Sequence, residues 1–424
     1  MRLAQLPRGA RRTRDERTHP LYLAALLFTA LATAGVLRLV RPAPREQLVS
    51  CPACPKCVDF RPSVAPPAAA PEPPLLPHYA QGFTPGDAPE KRLWRTADMQ
   101  AAIAASQNPA NCTAATYMRL MPVSSGIGST LHGITAYLAL AIERGQVLIL
   151  HPNYGGGWVR GEYCDGECSY ECFFEPLSRC APGGVPPAGA RVVDAANENV
   201  VHSIPRAWHD AFKRDAGVEA PDTPTRDVKY WWRAQGAAYV MRLNSRTAAH
   251  LAFKRRALAT EGHVPLPLPP DTYAVHVRHG DKHQEMKLYD AAKFLRAISA
   301  AGNGTTSAPR TVFISTEDPA VIAEAQAVSA AAPAAWRVLV VPWERDNAAT
   351  LAAATRGADE TLHALLNLWI SLEATHFVGQ LGSNWCRLTD ELRRIWAGTQ
   401  PGCCTRYIEA GWEADVCPVD TLNW

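Results

Sequence analysis

His276-Val277-Arg278-His279-Gly280-Asp281-Lys282 gathers two imidazoles, a guanidinium, a carboxylate and an ammonium into one short stretch. It follows the apolar, β-branched run Tyr273-Ala274-Val275, so a strand runs directly into charge. Open α/β sheets bind ligands at the carboxyl ends of their strands. Arg offers a planar, permanently charged fork that fits a diphosphate. The bland reading is a solvated loop with an incidental ion pair. Two further strands end in the same way. Val312-Phe313-Ile314-Ser315 runs into Thr316-Glu317-Asp318-Pro319, whose acids can touch a ligand or cap the next helix. Phe377-Val378-Gly379 runs into Gln380-Leu381-Gly382-Ser383-Asn384, where backbone N–H groups and a hydroxyl are offered to an anion. The turn Gly126-Ile127-Gly128 is a weaker phosphate candidate, equally readable as a tight turn without a ligand.

Elements with the right period stand behind these residues. Gln146-Val147-Leu148-Ile149-Leu150 reads as a buried strand after a helical run over Ile134–Glu143. Tyr154–Cys180 is loop-like, and Trp231–Arg256 is strongly helical. After Pro265–Pro270, strands and helices alternate: Tyr273–Val277, Ala291–Ala300, Thr311–Ser315, Ala320–Ala327 and Arg337–Val341. Such alternation predicts a parallel sheet. The Pro-rich segment reads as a linker between two α/β domains, with a cleft expected between them.

The chain has 424 residues and a net charge of +3. Its near-neutral balance and lack of a basic, aromatic-laced stripe argue against nucleic-acid binding. Arg8, Arg11, Arg12, Arg14 and Arg17 precede an uncharged apolar run, Leu21–Leu37, closed by Arg38 and Arg41. This pattern predicts a membrane anchor with its N-terminus cytoplasmic and the remaining chain lumenal. Ala32-Thr33-Ala34 keeps a cleaved signal peptide open as the competing reading. Pro42 to about Glu90, rich in Pro and Ala, reads as an extended stem. The expected organisation is a tail over 1–20, an anchor over 21–40, a stem over 41–92, and α/β domains over 93–265 and 266–424. The second domain ends in a Cys-rich tail.

The 12 Cys suit an oxidising compartment. Cys164, Cys168, Cys172 and Cys180 form one cluster, and Cys403, Cys404 and Cys417 another. Cys51, Cys54 and Cys57 supply three ligands where a closed zinc site needs four, so they read as local disulfides or as links between two copies of the chain. Asn111-Cys112-Thr113 and Asn303-Gly304-Thr305 are glycosylation sequons compatible with a lumenal chain.

The ordered set of motifs resembles the alpha-1,6-fucosyltransferase family, which includes core fucosyltransferases of N-glycans and bacterial nodulation fucosyltransferases. Gly126-Ile127-Gly128-Ser129-Thr130-Leu131-His132 is similar to its first glycine turn, and Trp231-Trp232-Arg233-Ala234-Gln235 to its Trp-Trp-x-x-Gln helix. His276–Lys282 resembles its first nucleotide motif, usually His-Val-Arg-Arg-x-Asp-Lys, with His-Gly after the Arg as in the bacterial branch. Ser315–Pro319 resembles the second, and Gly382–Arg387 the third. The resemblance implies a GT-B fold of two Rossmann-like domains, GDP-fucose as donor, an N-glycan acceptor, inversion without a metal or other cofactor, and a Golgi location. It also implies a Cys112–Cys180 disulfide. The departures are Asn367 at the family's guanine-reading Asp, His279 at its second Arg, and a one-position shift needed to match its catalytic Glu to Glu285. The coiled coil and SH3 domain of the animal enzymes have no counterpart in this sequence.

The roles that follow are specific. His276, Arg278, His279, Glu317, Asp318, Asn367, Gly382, Ser383 and Asn384 form the expected donor site, with Arg278 and Ser383 on the leaving phosphate. Glu285 is the candidate general base, Asp281 the runner-up, and Lys282 orients the carboxylate or contacts the acceptor. Two alternatives stay open. One is a lumenal glycan-binding scaffold that kept the fold without turnover; the other is a protein O-fucosyltransferase, against which the Trp231-Trp232 helix argues.

Overall fold

The structure is a computed structural model describing residues 93–122, 125–152, 154, 157–159, 162–164, 169–195, 204–216, 226–301, 309–342, 353–396 and 407–410. The expected tail, anchor and stem, the cysteines at 51, 54, 57, 168, 403, 404 and 417, and the Asn303 sequon lie outside these residues. Among the described residues, no helix is long and apolar enough to cross a membrane.

The first half opens with α1 (Thr96–Gln107) and builds a parallel sheet in the order β2-β1-β3. Its strands are β1 (Thr116–Leu120), β2 (Val147–Leu150) and β3 (Arg191–Asp194). Every residue of β2 is buried, as expected of an apolar strand covered on both faces. Helix α2 (Ile127–Glu143) connects β1 to β2. It begins earlier than the helical pattern suggests: Gly126 is its N-cap, and Gly128 lies inside its first turn. The loop-like stretch before β3 holds short 3-10 turns and two disulfides. Cys112–Cys180 closes a sequence separation of 68, and Cys164–Cys172 one of 8.

Three helices lead to the second half: α3 (Arg206–Ala216), α4 (Arg226–Val240) and α5 (Ser245–Thr260). The single helical run read over Trp231–Arg256 is therefore two helices. Asn244 caps the second, its side chain accepting from the Thr247 N–H at 2.8 Å, and an Asn cap draws the backbone out of helical geometry just before it.

The second sheet has five parallel strands in the order β6-β5-β4-β7-β8. They are β4 (Tyr273–Val277), β5 (Arg310–Thr316), β6 (Trp336–Val340), β7 (His376–Gly379) and β8 (Tyr407–Glu409). Helices α6 (Ala291–Ala301), α7 (Pro319–Ala331), α8 (Ala353–Ser371) and α9 (Asn384–Trp396) alternate with them. The chain steps outward from β4 through β5 to β6, then reverses to β7 and β8. That doubly wound order puts the topological switch point between β4 and β7, where ligands bind in such sheets. Alternation along the strands feeds two layers. Ala274, Phe313 and Phe377 face one apolar core, while Val275, Ile314 and Val378 face another.

The two sheets fall on either side of Pro265–Pro270, but the packing does not divide there. One core holds Trp231 and Trp232 of α4 together with Trp369 of α8 and Leu388 of α9. Helix α9 packs on α4 and α2, and α8 packs on α5 and the 3-10 turn Gly157–Val159. Within the first half, α4 and α2 cross closely. A Cβ on Gly236 of α4 would stand 2.2 Å from Cγ2 of Thr135 on α2.

Candidate active site

The loops after β4, β5 and β7 converge at the carboxyl edge of the second sheet. His276 and Ser315 are register partners in β4 and β5. Their Nδ1 and Oγ atoms are 2.9 Å apart, while His276 Nε2 is buried without a protein partner. Burial first of all, then the nearby Arg278, lowers the His276 pKa to about 4, so the ring is neutral near pH 7.

Arg278 forms an ion pair with Glu317 at the end of β5. The same Glu317 oxygen accepts the His279 N–H at 2.7 Å. Gly280 turns the chain at φ 60°, and a Cβ there would lie 3.2 Å from Arg278 Nη1. Glycine at 280 thus lets the Arg278 guanidinium fold close over its own loop. His279 Nδ1 is 2.7 Å from Asp318 Oδ2, and its Nε2 is 2.9 Å from the Tyr289 carbonyl oxygen. Burial lowers the His279 pKa, but the Tyr289 carbonyl, Asp318 and Glu317 outweigh it and leave the pKa raised. Asp318 also caps α7, accepting from the Ala320 N–H at 2.8 Å. Glu317 and Asp318 therefore hold the first loop in shape, and Asp318 also takes the capping role read for it in the sequence.

Gly280–Gln284 forms a 3-10 turn that carries the backbone of Asp281. Lys282, its side chain 13% exposed, forms an ion pair with Glu285, whose side chain is 62% exposed. Glu285 is thus an accessible carboxylate beside the loop, ion-paired to the Lys282 ammonium. Met286 then packs on the third loop: a Cβ on Gly382 would stand 2.9 Å from its Sδ. The Gln380 side chain ties the same loops together, donating to the Lys287 carbonyl at 2.9 Å.

Ser383 is buried directly before α9, and its hydroxyl accepts from the Cys386 N–H at 3.4 Å. Asn384 begins the helix, but its side chain turns toward the first half. Its Nδ2 donates to Ser129 Oγ at 2.7 Å, and its Oδ1 is 3.2 Å from His132 Nδ1. The two glycine motifs meet here, since a Cβ on Gly128 would lie 3.2 Å from the Trp385 nitrogen. The first turns of α2 and α9 are in contact. Two helix N-termini side by side concentrate partial positive charge, which an anion relieves.

Asn367 lies on α8, 3% exposed. Its Nδ2 contacts both Nε2 and the carbonyl oxygen of His363 at 2.9 Å, and its Oδ1 has no protein partner. That leaves one unpartnered side-chain acceptor, where a carboxylate would present two. A cavity bordered by Leu150, His151, Tyr154, Glu171 and Gly184 sits at the end of β2 and shares no residue with these motifs. Among the described residues, no cluster of His, Cys, Asp and Glu has the makings of a metal site.

Sequence reasoning quoted Ser129, His132 and Arg233 within motifs but gave them no role, and it missed Glu391. These four gather around Asn384. His132 carried a signal, as an imidazole in a largely apolar helix. Glu391 carried none, because only packing of α9 on α2 and α4 buries it.

No family model matches the chain, and no curated protein sequence matches it. Several solved structures are similar to it. NodZ alpha-1,6-fucosyltransferase co-crystallized with GDP is 19% identical, with a TM-score of 0.37, over 65% of this chain and 92% of its own. FUT1 of Arabidopsis thaliana in complex with GDP is 9% identical, with a TM-score of 0.37, over 70% of this chain and 72% of its own. POFUT1 in complex with GDP-fucose is 12% identical, with a TM-score of 0.34, over 71% of this chain and 99% of its own. Likeness at these levels says nothing of substrate, so the functional reading rests on the residues; the chain is similar to structures of fucosyltransferases, as its motifs resemble a fucosyltransferase family.

Proposed function

We propose that this protein transfers fucose from GDP-fucose to a glycan hydroxyl, the N-glycan core GlcNAc in alpha-1,6 linkage being the first acceptor to try. The observation that carries the reading is the meeting of the Arg278 loop and the Gly382–Asn384 loop at the β4/β7 switch point. In the reaction, the acceptor oxygen attacks the anomeric carbon as the bond to the β-phosphate oxygen breaks. GDP leaves, and the acceptor proton passes to a carboxylate. Arg278 and the N–H groups in the first turn of α9 stabilise charge growing on the leaving phosphate; a preorganised donor of this kind contributes about 3–4 kcal/mol. His276 Nε2, buried and without a protein partner, completes the polar lining. Asn367 Oδ1 accepts one N–H of the base. Glu285 takes the proton, with Lys282 holding it; Asp281 is the second candidate.

No metal or other cofactor has a role in this scheme, because protein cations and helix N-termini supply the positive charge. On the same reading, the basic-flanked apolar run at 21–37 anchors the chain in the Golgi membrane with its body lumenal. The Cys112–Cys180 and Cys164–Cys172 bonds suit that oxidising compartment. A second reading, a non-catalytic glycan-binding protein of this fold, draws on the Arg278–Glu317 ion pair and on Asn367 in place of an acid. The deciding experiment incubates the full-length chain with GDP-fucose and measures GDP release, with and without EDTA, across N-glycans and folded peptide modules. Release that persists in EDTA and requires a glycan supports the proposal. Nucleotide binding without release favours the non-catalytic reading, and transfer to peptide modules favours protein O-fucosylation.

A further inference from the structure

A buried charged cluster joins the two halves beneath the third loop. Glu391 of α9 is fully buried. Its Oε2 is 2.9 Å from His132 Nε2 on α2, and its Oε1 is 3.1 Å from Arg233 Nε on α4. Arg233 Nη2 reaches His132 Nδ1 at 3.0 Å. Burial pushes the Glu391 pKa up, but His132 and Arg233 more than offset it, so the carboxylate is ionised. Burial and Arg233 lower the His132 pKa. A neutral imidazole fits the cluster itself: Nε2–H donates to Glu391 and Nδ1 accepts the Arg233 N–H, which leaves Asn384 Oδ1, 3.2 Å from the same Nδ1, packed on the ring without a hydrogen bond to it. Replacing such buried charges with apolar groups is often neutral or stabilising, so stability alone gives little reason for the cluster.

Its neighbours suggest a purpose. Asn384 Oδ1 packs on His132 Nδ1, accepts from Arg387 Nη1 at 3.4 Å, and shares its side chain with Ser129. Asn384 directly follows Ser383, and its backbone abuts Gly128. Through His132 the cluster thus packs against Asn384, whose bond to Ser129 ties the first turn of α9 to the first turn of α2.

We propose that His132, Arg233 and Glu391 are positioning residues that lock Asn384 in place, and with it the Asn384 and Trp385 N–H groups in the first turn of α9 that receive the leaving phosphate. The inference rests on the GDP-fucose reading for its catalytic consequence, but not for the lock itself. Glu391→Gln and His132→Gln, each alone and combined with Asn384→Ala, test it in the full-length chain by kinetics and by amide hydrogen exchange. We expect Glu391→Gln to lower kcat about tenfold or more with KM for GDP-fucose little changed, as for an interaction felt mainly in the transition state. Exchange over 381–387 should rise about tenfold while β7 stays protected. In the Asn384→Ala background, Glu391→Gln should change kcat little further, because coupled residues are not additive. Additive kcat losses, or unchanged exchange over 381–387, overturn the proposal. Should Glu391→Gln fail to fold, Ser129→Ala removes the Asn384 partner without stranding a charge, and it must show the same local exchange. A wild-type chain that neither binds GDP nor releases it from GDP-fucose sinks the fucosyl-transfer reading alone, because exchange still decides the lock.

Discussion

At the residue scale, the site depends on a few side chains whose partners fix their roles. Arg278 is held by Glu317 and is free of bulk at Gly280, so its fork is set before any donor arrives. Arg278→Lys keeps the charge but loses the planar pair of donors. We expect kcat for GDP release to fall about 100-fold, with thermal unfolding little changed; near-normal turnover would remove Arg278 from the phosphate. Glu285 is the accessible carboxylate that Lys282 orients. Glu285→Gln should lower kcat by about two orders of magnitude or more while GDP affinity, read by calorimetry, stays near wild type. The pH–rate profile should lose its acidic limb, which reports a base becoming protonated. If instead Asp281→Asn is the inactive variant, the base sits one turn earlier.

At the element scale, the first α/β unit is stapled and the two halves are threaded through each other. The Cys112–Cys180 bond closes a long loop and Cys164–Cys172 a short one. In the chain-entropy model they contribute about 4 and about 2.5 kcal/mol respectively. Cys180→Ser should therefore lower the urea midpoint more than Cys164→Ser does; the reverse order would show that something other than loop entropy dominates. Helix crossing is tested at Gly236, which lies under Thr135. Gly236→Ala should destabilise by about 1–3 kcal/mol through overpacking, seen in the same titration, and Thr135→Ser in that background should recover part of the loss. Strands β4, β5 and β7 were legible in the sequence because each is an apolar run ending in charge or glycine. The break between α4 and α5 was not, since the apolar spacing continues through it and only the Asn244 cap interrupts the helix.

At the scale of the whole molecule, buried imidazoles tie stability to pH. The His276 pKa is lowered from 6.5 to about 4 on folding. The unfolded chain takes up this proton first as pH falls, so the contribution is complete above pH 6.5 and is lost towards pH 4. His279 acts oppositely: its raised pKa adds stability below its unfolded value, which is lost as pH rises through the folded one. Urea unfolding at pH 7 and pH 4.5 should show wild type losing stability in acid, and His276→Gln should shrink that loss by up to about 3 kcal/mol. An unchanged loss would place the acid sensitivity elsewhere, with His132 and Glu391 the next groups to test. The sequence by itself determined the α/β class, the strand ends that carry charge, and the Arg278, Glu317 and Ser383 positions, because strand period and loop composition are local properties. Only the tertiary structure decided that α9 returns to the first half, that Asn384 faces Ser129 and His132, and that Glu391 is buried among cations. Those facts depend on which helices pack together, and contacts between residues more than about 150 positions apart leave no period in the chain.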